Sequence, residues 1–181
     1  MDYNSNISRT FLAPTKSAAS DKFGHFMAWF ERSFNCKIHV LRTDGGKEFQ
    51  GVDLLCERIG IRRQKAEPYN QASNGKAERM IRNILEFARS MLLASNLPLV
   101  FWGDAVLYAN DIIIRIPTSA NVNRLSPYEV AYKKTPYLGD LVPFGAKCTV
   151  MVSHKYGKKR KDDESSNLET KSFGRTDCGK E

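Results

Sequence analysis

Two carboxylates stand in contexts suited to holding divalent metal ions. Asp44 closes an apolar run, residues 36–43 (CKIHVLRT), and precedes Gly45 and Gly46. Glu78 follows a loop at 68–75 (PYNQASNG) and opens a long amphipathic segment. These contexts put Asp44 at the end of a strand and Glu78 at the start of a helix, 34 positions later. Two metals clamped between such carboxylates drive phosphodiester chemistry on DNA or RNA.

Each acid also has a plainer reading. Asp before Gly-Gly starts turns, and Glu at a helix start is favoured by the macrodipole. On the other side, α/β folds present catalytic groups at the C-terminal ends of strands. A loop rich in Gly, Asn and Gln is a poor core element but a good mobile border for an active site. Stepping about 100° per residue from Glu78 puts Met80, Ile81, Ile84, Phe87, Ala88 and Met91 on one broad side. Arg79, Arg82, Asn83, Glu86, Arg89 and Ser90 fall on the other, with Glu78, Arg82 and Arg89 nearly in line. That row is either a solvated helix face or a track along a phosphate backbone, which the arginine fork matches well.

The elements that must carry these residues follow from periodicity. Residues 7–13 read as a strand ended by Pro14, and 17–34 as a helix with Phe23, Phe26, Met27 and Phe30 in a stripe. A strand is expected around Ile38 and Val40, a short helix at 52–58, and a strand at 59–66 halted by Pro68. Ser73 is the expected N-cap of a helix running to about residue 94, with Asn96 and Pro98 marking its end. Helices at 99–114 and 127–133, the latter with Pro127 at its first position, and a closing strand at 147–152 complete the pattern. The order β-α-β-α-β-α-α describes an α/β layer fold. Beyond His154 periodicity is lost and disorder is expected, so the chain divides into a domain at 1–152 and a basic tail at 153–181.

Charge fits a polyanionic partner without requiring one. The 181 residues carry a net +8. Residues 155–181 hold eight Lys or Arg and six Asp or Glu, a net of +2, which leaves +6 for residues 1–154. The excess reads as a nucleic-acid surface or simply as a soluble basic protein. The run KKRK at 158–161 is a nuclear localisation signal, a nonspecific DNA clamp or an ordinary basic stretch. Cys36, Cys56, Cys148 and Cys178 form no zinc spacing with His25, His39 or His154, and are expected to be reduced intracellular thiols. No apolar run of about 18 residues occurs and no signal peptide opens the chain, so no membrane contact is expected.

Several blocks together closely resemble the catalytic core of copia-type retrotransposon integrases. They are LRTDGGKEF (41–49), GIRRQKAEPYNQASNGKAER (60–79), ARSML (88–92), LPLVFWGDAV (97–106), RIPT (115–118), SPYEVAYKKTP (126–136) and LVPFGAKCTV (141–150). The resemblance covers residues 2–152, in order and nearly without gaps. It implies a retroviral-integrase-type, RNase H-like fold that binds Mg2+ or Mn2+ and processes and joins DNA ends. Asp44 matches the second acid of the family's catalytic triad and Glu78 the third, both as metal ligands. Arg82 matches a basic position against the DNA end. Gln71, Asn74 and Gly75 match the mobile loop beside the site, and Arg79 and Arg89 extend the expected DNA contact.

The chain also departs from the family. The first acid belongs to a strand that would precede Met1, and Asp2 matches a different, non-catalytic acid. The expectation is therefore an incomplete fold lacking its first strand, one weak metal site, and no activity by these residues alone. The alternative is a non-catalytic nucleic-acid-binding remnant. Asp44 and Glu78 leave 33 residues between them, slightly fewer than in the family, with the shortfall placed between Phe49 and Leu54. The family's Asn three positions after the Glu is Ile81 here. By resemblance the partners are element ends and target DNA, the intact protein is a homo-oligomer, and the location is the nucleus or a cytoplasmic particle.

Overall fold

The computed structural model describes residues 1–15, 18–43, 50–65 and 75–149. The element order is α1 (Ala19–Phe34), β1 (Val40–Thr43), α2 (Gln50–Ile59), β2 (Arg62–Lys65), α3 (Gly75–Ser95), α4 (Trp102–Arg115) and α5 (Pro127–Tyr132), with short 3-10 turns at Leu99–Phe101 and Val122–Arg124. The α/β expectation holds, and so do the helix–strand–helix–strand–helix sequence through its middle and the helices after it.

β1 and β2 form a parallel pair in the register Val40 to Arg62 through Thr43 to Lys65. Parallel strands need a crossover, and α2 supplies it. The first strand starts later than expected because Glu31 intercepts its approach. The Glu31 carboxylate accepts the Ile38 amide at 2.9 Å and the Lys37 ammonium at 3.0 Å. α2 runs one residue past its expected end and stops at Gly60, whose φ of +75° suits glycine.

Two expected strands are not formed. Residues 7–13 run without regular structure. Ile7 is buried, while Ser8 Oγ donates to Asn110 Oδ1 at 2.6 Å and Asn110 Nδ2 donates to the Ser8 carbonyl at 3.2 Å. The segment thus spends its polar groups on α4 instead of on a ladder. Residues 147–149 are likewise irregular, and the rest of that expected strand, with the whole tail, lies outside the described residues.

Two apolar clusters hold the elements. Val52, Cys56 and Ile61 are buried beneath Phe23 and Met27 of α1, with Ile38 and Leu41 beside them. Ile84, Ala88 and Leu92 of α3 pack on Ala105, Val106 and Ala109 of α4. Alanines on α4 let the two helices approach closely, so their branched neighbours interlock. Asn96, at φ +54°, ends α3 where expected. α5 begins with a full capping box: Ser126 Oγ accepts the Glu129 amide at 3.1 Å, and the Glu129 carboxylate accepts the Ser126 amide at 2.8 Å.

The aromatic stripe of α1 is not sealed. No residue of α1 is fully buried. Phe23, Phe26 and Phe30 line a cavity of about 500 Å3 whose other side is Ile38, Val40 and Leu41. Among the described residues the edge of β1 away from β2 carries no strand. The sheet is consistent with the incomplete fold expected. Among the described residues, no helix is long and apolar enough to cross a membrane.

Candidate nucleic-acid and metal site

Tyr3 clasps the two elements expected to deliver the acids. The Arg42 guanidinium, on β1, lies 5.2 Å from the centroid of the Tyr3 ring. The Lys76 ammonium, on the first turn of α3, lies 5.5 Å from the same centroid and donates to the Tyr3 carbonyl at 2.7 Å. Each cation sits two residues before an expected acid, Arg42 before Asp44 and Lys76 before Glu78. A strand end and a helix start therefore converge on one ring. Cation–π attraction and a charge-assisted hydrogen bond both favour that arrangement.

A second network braces the strand end. Arg63 of β2 donates through Nη2 to Thr43 Oγ1 at 2.6 Å, and its Nη1 lies 3.1 Å from the Asp53 carboxylate on α2. The Arg63 side chain is only 9% exposed, so this pair is held in a poorly solvated place. Thr43 is the last residue of β1 and precedes Asp44. Burial pushes the neighbouring Cys56 thiol up from its ordinary value, with the charge of Arg63 opposing. Nothing in the spacing of Thr43, Asp53 and Arg63 announces this network. The signal available was a lone arginine on the inward face of a short strand.

Asp44, Gln71, Asn74 and the expected Ser73 cap lie outside the described residues. Glu78 is in the first turn of α3, as expected, and is exposed. It shares a shallow groove of about 330 Å3 with Ile81, Arg82, Leu85, Glu86 and Arg89. The in-line row of Glu78, Arg82 and Arg89 is thus present. None of these charged side chains makes an ion pair among the described residues. Their charges remain available to a ligand.

Two helix-face expectations need correction. Ile81 is 57% exposed and Phe87 38%, so neither belongs to the buried face. The contact with α4 is narrower than the sequence pattern, because small residues on α4 draw in only the stripe through Ile84, Ala88 and Leu92. Arg79 does not share the groove of Arg82 and Arg89. It lines a separate one of about 790 Å3, with Lys76, Asn83 and Phe87.

Among the described residues no group of three or more His, Cys, Asp or Glu comes together to hold a metal. The donor chemistry of Glu78 still fits a hard cation, being an uncommitted carboxylate at a positive helix end. Cys36 and Cys56 are free thiols.

The chain is similar to known proteins at both levels. It is 34% identical over 157 residues to the retrovirus-related Pol polyprotein from transposon TNT 1-94 of Nicotiana tabacum, which spans 86% of this chain and 12% of the polyprotein. It is 28% identical over 158 residues to the corresponding polyprotein of transposon RE2 of Arabidopsis thaliana, spanning 86% of the chain and 11% of the relative. The chain thus corresponds to a small part of these relatives. In structure it is similar to the catalytic core domain of BIV integrase, with a TM-score of 0.55 and 18% identity over 72% of this chain and 81% of that one. No family model matches.

Proposed function

Since this chain is a homologue of copia-type retrotransposon Pol polyproteins folded as an incomplete, retroviral-integrase-type RNase H-like core, we propose that it is a DNA-binding integrase core. In this reading Asp44 and Glu78 are the second and third acids of a metal site, and Arg82 and Arg89 hold the DNA backbone beside them. The observation that carries it is the Tyr3 clasp, which draws the end of β1 and the start of α3 to one ring.

Asp44 and Glu78 would hold Mg2+ or Mn2+ through carboxylate oxygens, the donors such ions prefer. When bound, the metal supplies activation of an attacking hydroxyl and stabilisation of a leaving oxygen. The chain's own residues do the rest. Arg82 and Arg89 follow Glu78 along α3 with guanidinium groups free for phosphate oxygens, and Gln71 and Asn74 match, by resemblance, the family's loop beside the site. These 181 residues supply two of the family's three acids, so the reading is that they bind DNA without joining ends. Element ends and target DNA would be the substrates, in a homo-oligomer with access to the nucleus. The basic run at 158–161 is the candidate signal for that access.

Duplex binding by fluorescence anisotropy tests this. Log affinity should fall linearly with log salt, by about 0.9 for each neutralised phosphate. Arg82→Ala with Arg89→Ala should reduce that slope by about 2 and weaken binding across sequences. Affinity that stays flat from low to physiological salt would remove the basic-face reading. Strand-transfer assays in Mn2+ should yield no joined product from these residues. Joining restored in a longer chain carrying a third acid supports the integrase core. Its absence there supports a nucleic-acid-binding domain without chemistry of its own.

A further inference from the structure

The separation of Arg79 from Arg82 and Arg89 points to a second ligand. We infer that the groove between α3 and the 116–120 segment binds single-stranded DNA, its phosphates held by Arg79 and a base stacked on Phe87. This rests on the DNA-binding reading and adds a second strand-binding site to it.

The groove, of about 790 Å3, lies within the size range of ligand sites, roughly 300–1,000 Å3. Its chemistry is graded along α3. Lys76 and Arg79 mark the end near the helix start, and Arg79 makes no ion pair among the described residues. Asn83 comes one turn on and can read base edges through its amide. Phe87 and Ile116 are 38% and 43% exposed and give the groove apolar lining, Phe87 two turns beyond Arg79 on α3. Ser119 adds a hydroxyl from the facing segment.

Positions 79 and 87 are about 12 Å apart along the helix axis at 1.5 Å per residue. A short single strand spans that length with a phosphate at one end and a base at the other. Unpaired bases present the faces that an aromatic ring stacks on, and a basic rim tracks the backbone. A duplex hides those faces. Glu86, which also lines the groove beside Phe87 in the chain, repels phosphate from that end and favours a base there.

The test compares oligo(dT) with a blunt duplex of matched length, using anisotropy on the whole 181-residue chain at low salt. Phe87→Ala at a partly exposed position, and separately Ser119→Glu at an exposed one, should each weaken oligo(dT) binding about fivefold or more and leave duplex affinity unchanged. Arg82→Ala should do the reverse. If both groove variants bind oligo(dT) like the parent chain, the inference fails while the Arg82 face stands. Equal loss of both ligands in the groove variants also overturns it, because one shared surface would explain that result. If the parent chain binds neither DNA, the proposed function falls with it.

Discussion

The Lys76 ammonium of α3 is tied to Tyr3 twice, by a 2.7 Å hydrogen bond to its carbonyl and by a 5.5 Å approach to its ring. Arg42 of β1 reaches the same ring from 5.2 Å. An irregular N-terminal segment therefore couples a strand end to a helix start that the chain order separates by 33 residues, from Arg42 to Gly75. Tyr3→Ala should remove both ring contacts, at roughly 1–2 kcal/mol for two partly exposed cation–π contacts, and leave Lys76 only its bond to the backbone carbonyl. Amide hydrogen exchange should rise at 40–43 and at the first turn of α3. Tyr3→Phe keeps the ring and the carbonyl, so exchange should rise less than in Tyr3→Ala. Unchanged exchange in Tyr3→Ala would show that the two elements are held apart from this clasp.

Arg63 makes a comparable claim on the strand end. Arg63→Met removes a charge-assisted bond to Thr43 and the partner of Asp53. Losing a hydrogen bond to a charged group costs about 1.5–3 kcal/mol. Protection should fall in β1, β2 and the first turn of α2 while the α3–α4 pair is unaffected. Arg63→Lys should recover only part of it, since an ammonium does not reproduce the guanidinium fork.

Acid should loosen the chain at two identified carboxyls. The Ile38 amide and the Lys37 ammonium hold Glu31 below its ordinary value, and the amide and hydroxyl of Ser126 do the same for Glu129. A depressed folded-state value means that the stabilisation is present above the unfolded value of 4.5 and is lost as pH falls through the folded value. Helical circular dichroism should therefore decline as the pH drops below that point. Glu31→Gln with Glu129→Gln should start lower at neutral pH and change less on acidification. A parent chain with no acid sensitivity in that window would contradict the assignment.

The open edge of β1 carries a stability prediction. Among the described residues, two strands beside an aromatic cavity of about 500 Å3 leave backbone groups and apolar surface without a covering strand. These 181 residues alone should bind a hydrophobic dye and melt gradually. A longer chain that lays a further strand along β1 should melt sharply and exclude the dye. A single cooperative transition from the monomeric 181-residue chain would refute this.

Much of the local structure is settled by side-chain chemistry close in sequence. Ser126, Pro127 and Glu129 specify the start of α5 within four residues. Asn96 ends α3, and Gly60 ends α2. The long amphipathic pattern after residue 75 makes α3 and puts Glu78, Arg82 and Arg89 in one row, because the helical repeat alone does that. The blocks of family resemblance needed no geometry either.

What depends on partners distant in the chain was not legible. Residues 7–13 look like a strand by composition, yet a strand exists only where another strand meets it. Here Asn110 of α4 claims Ser8 instead. The assignment of Ile81 and Phe87 to the solvent side depended on how closely α4 approaches, which its alanines decide. Arg79 parts from Arg82 for the same reason, since the 116–120 segment after α4 builds the wall of a different groove. Periodicity says which residues share a face of one helix; only the packing of a second element says which face is buried.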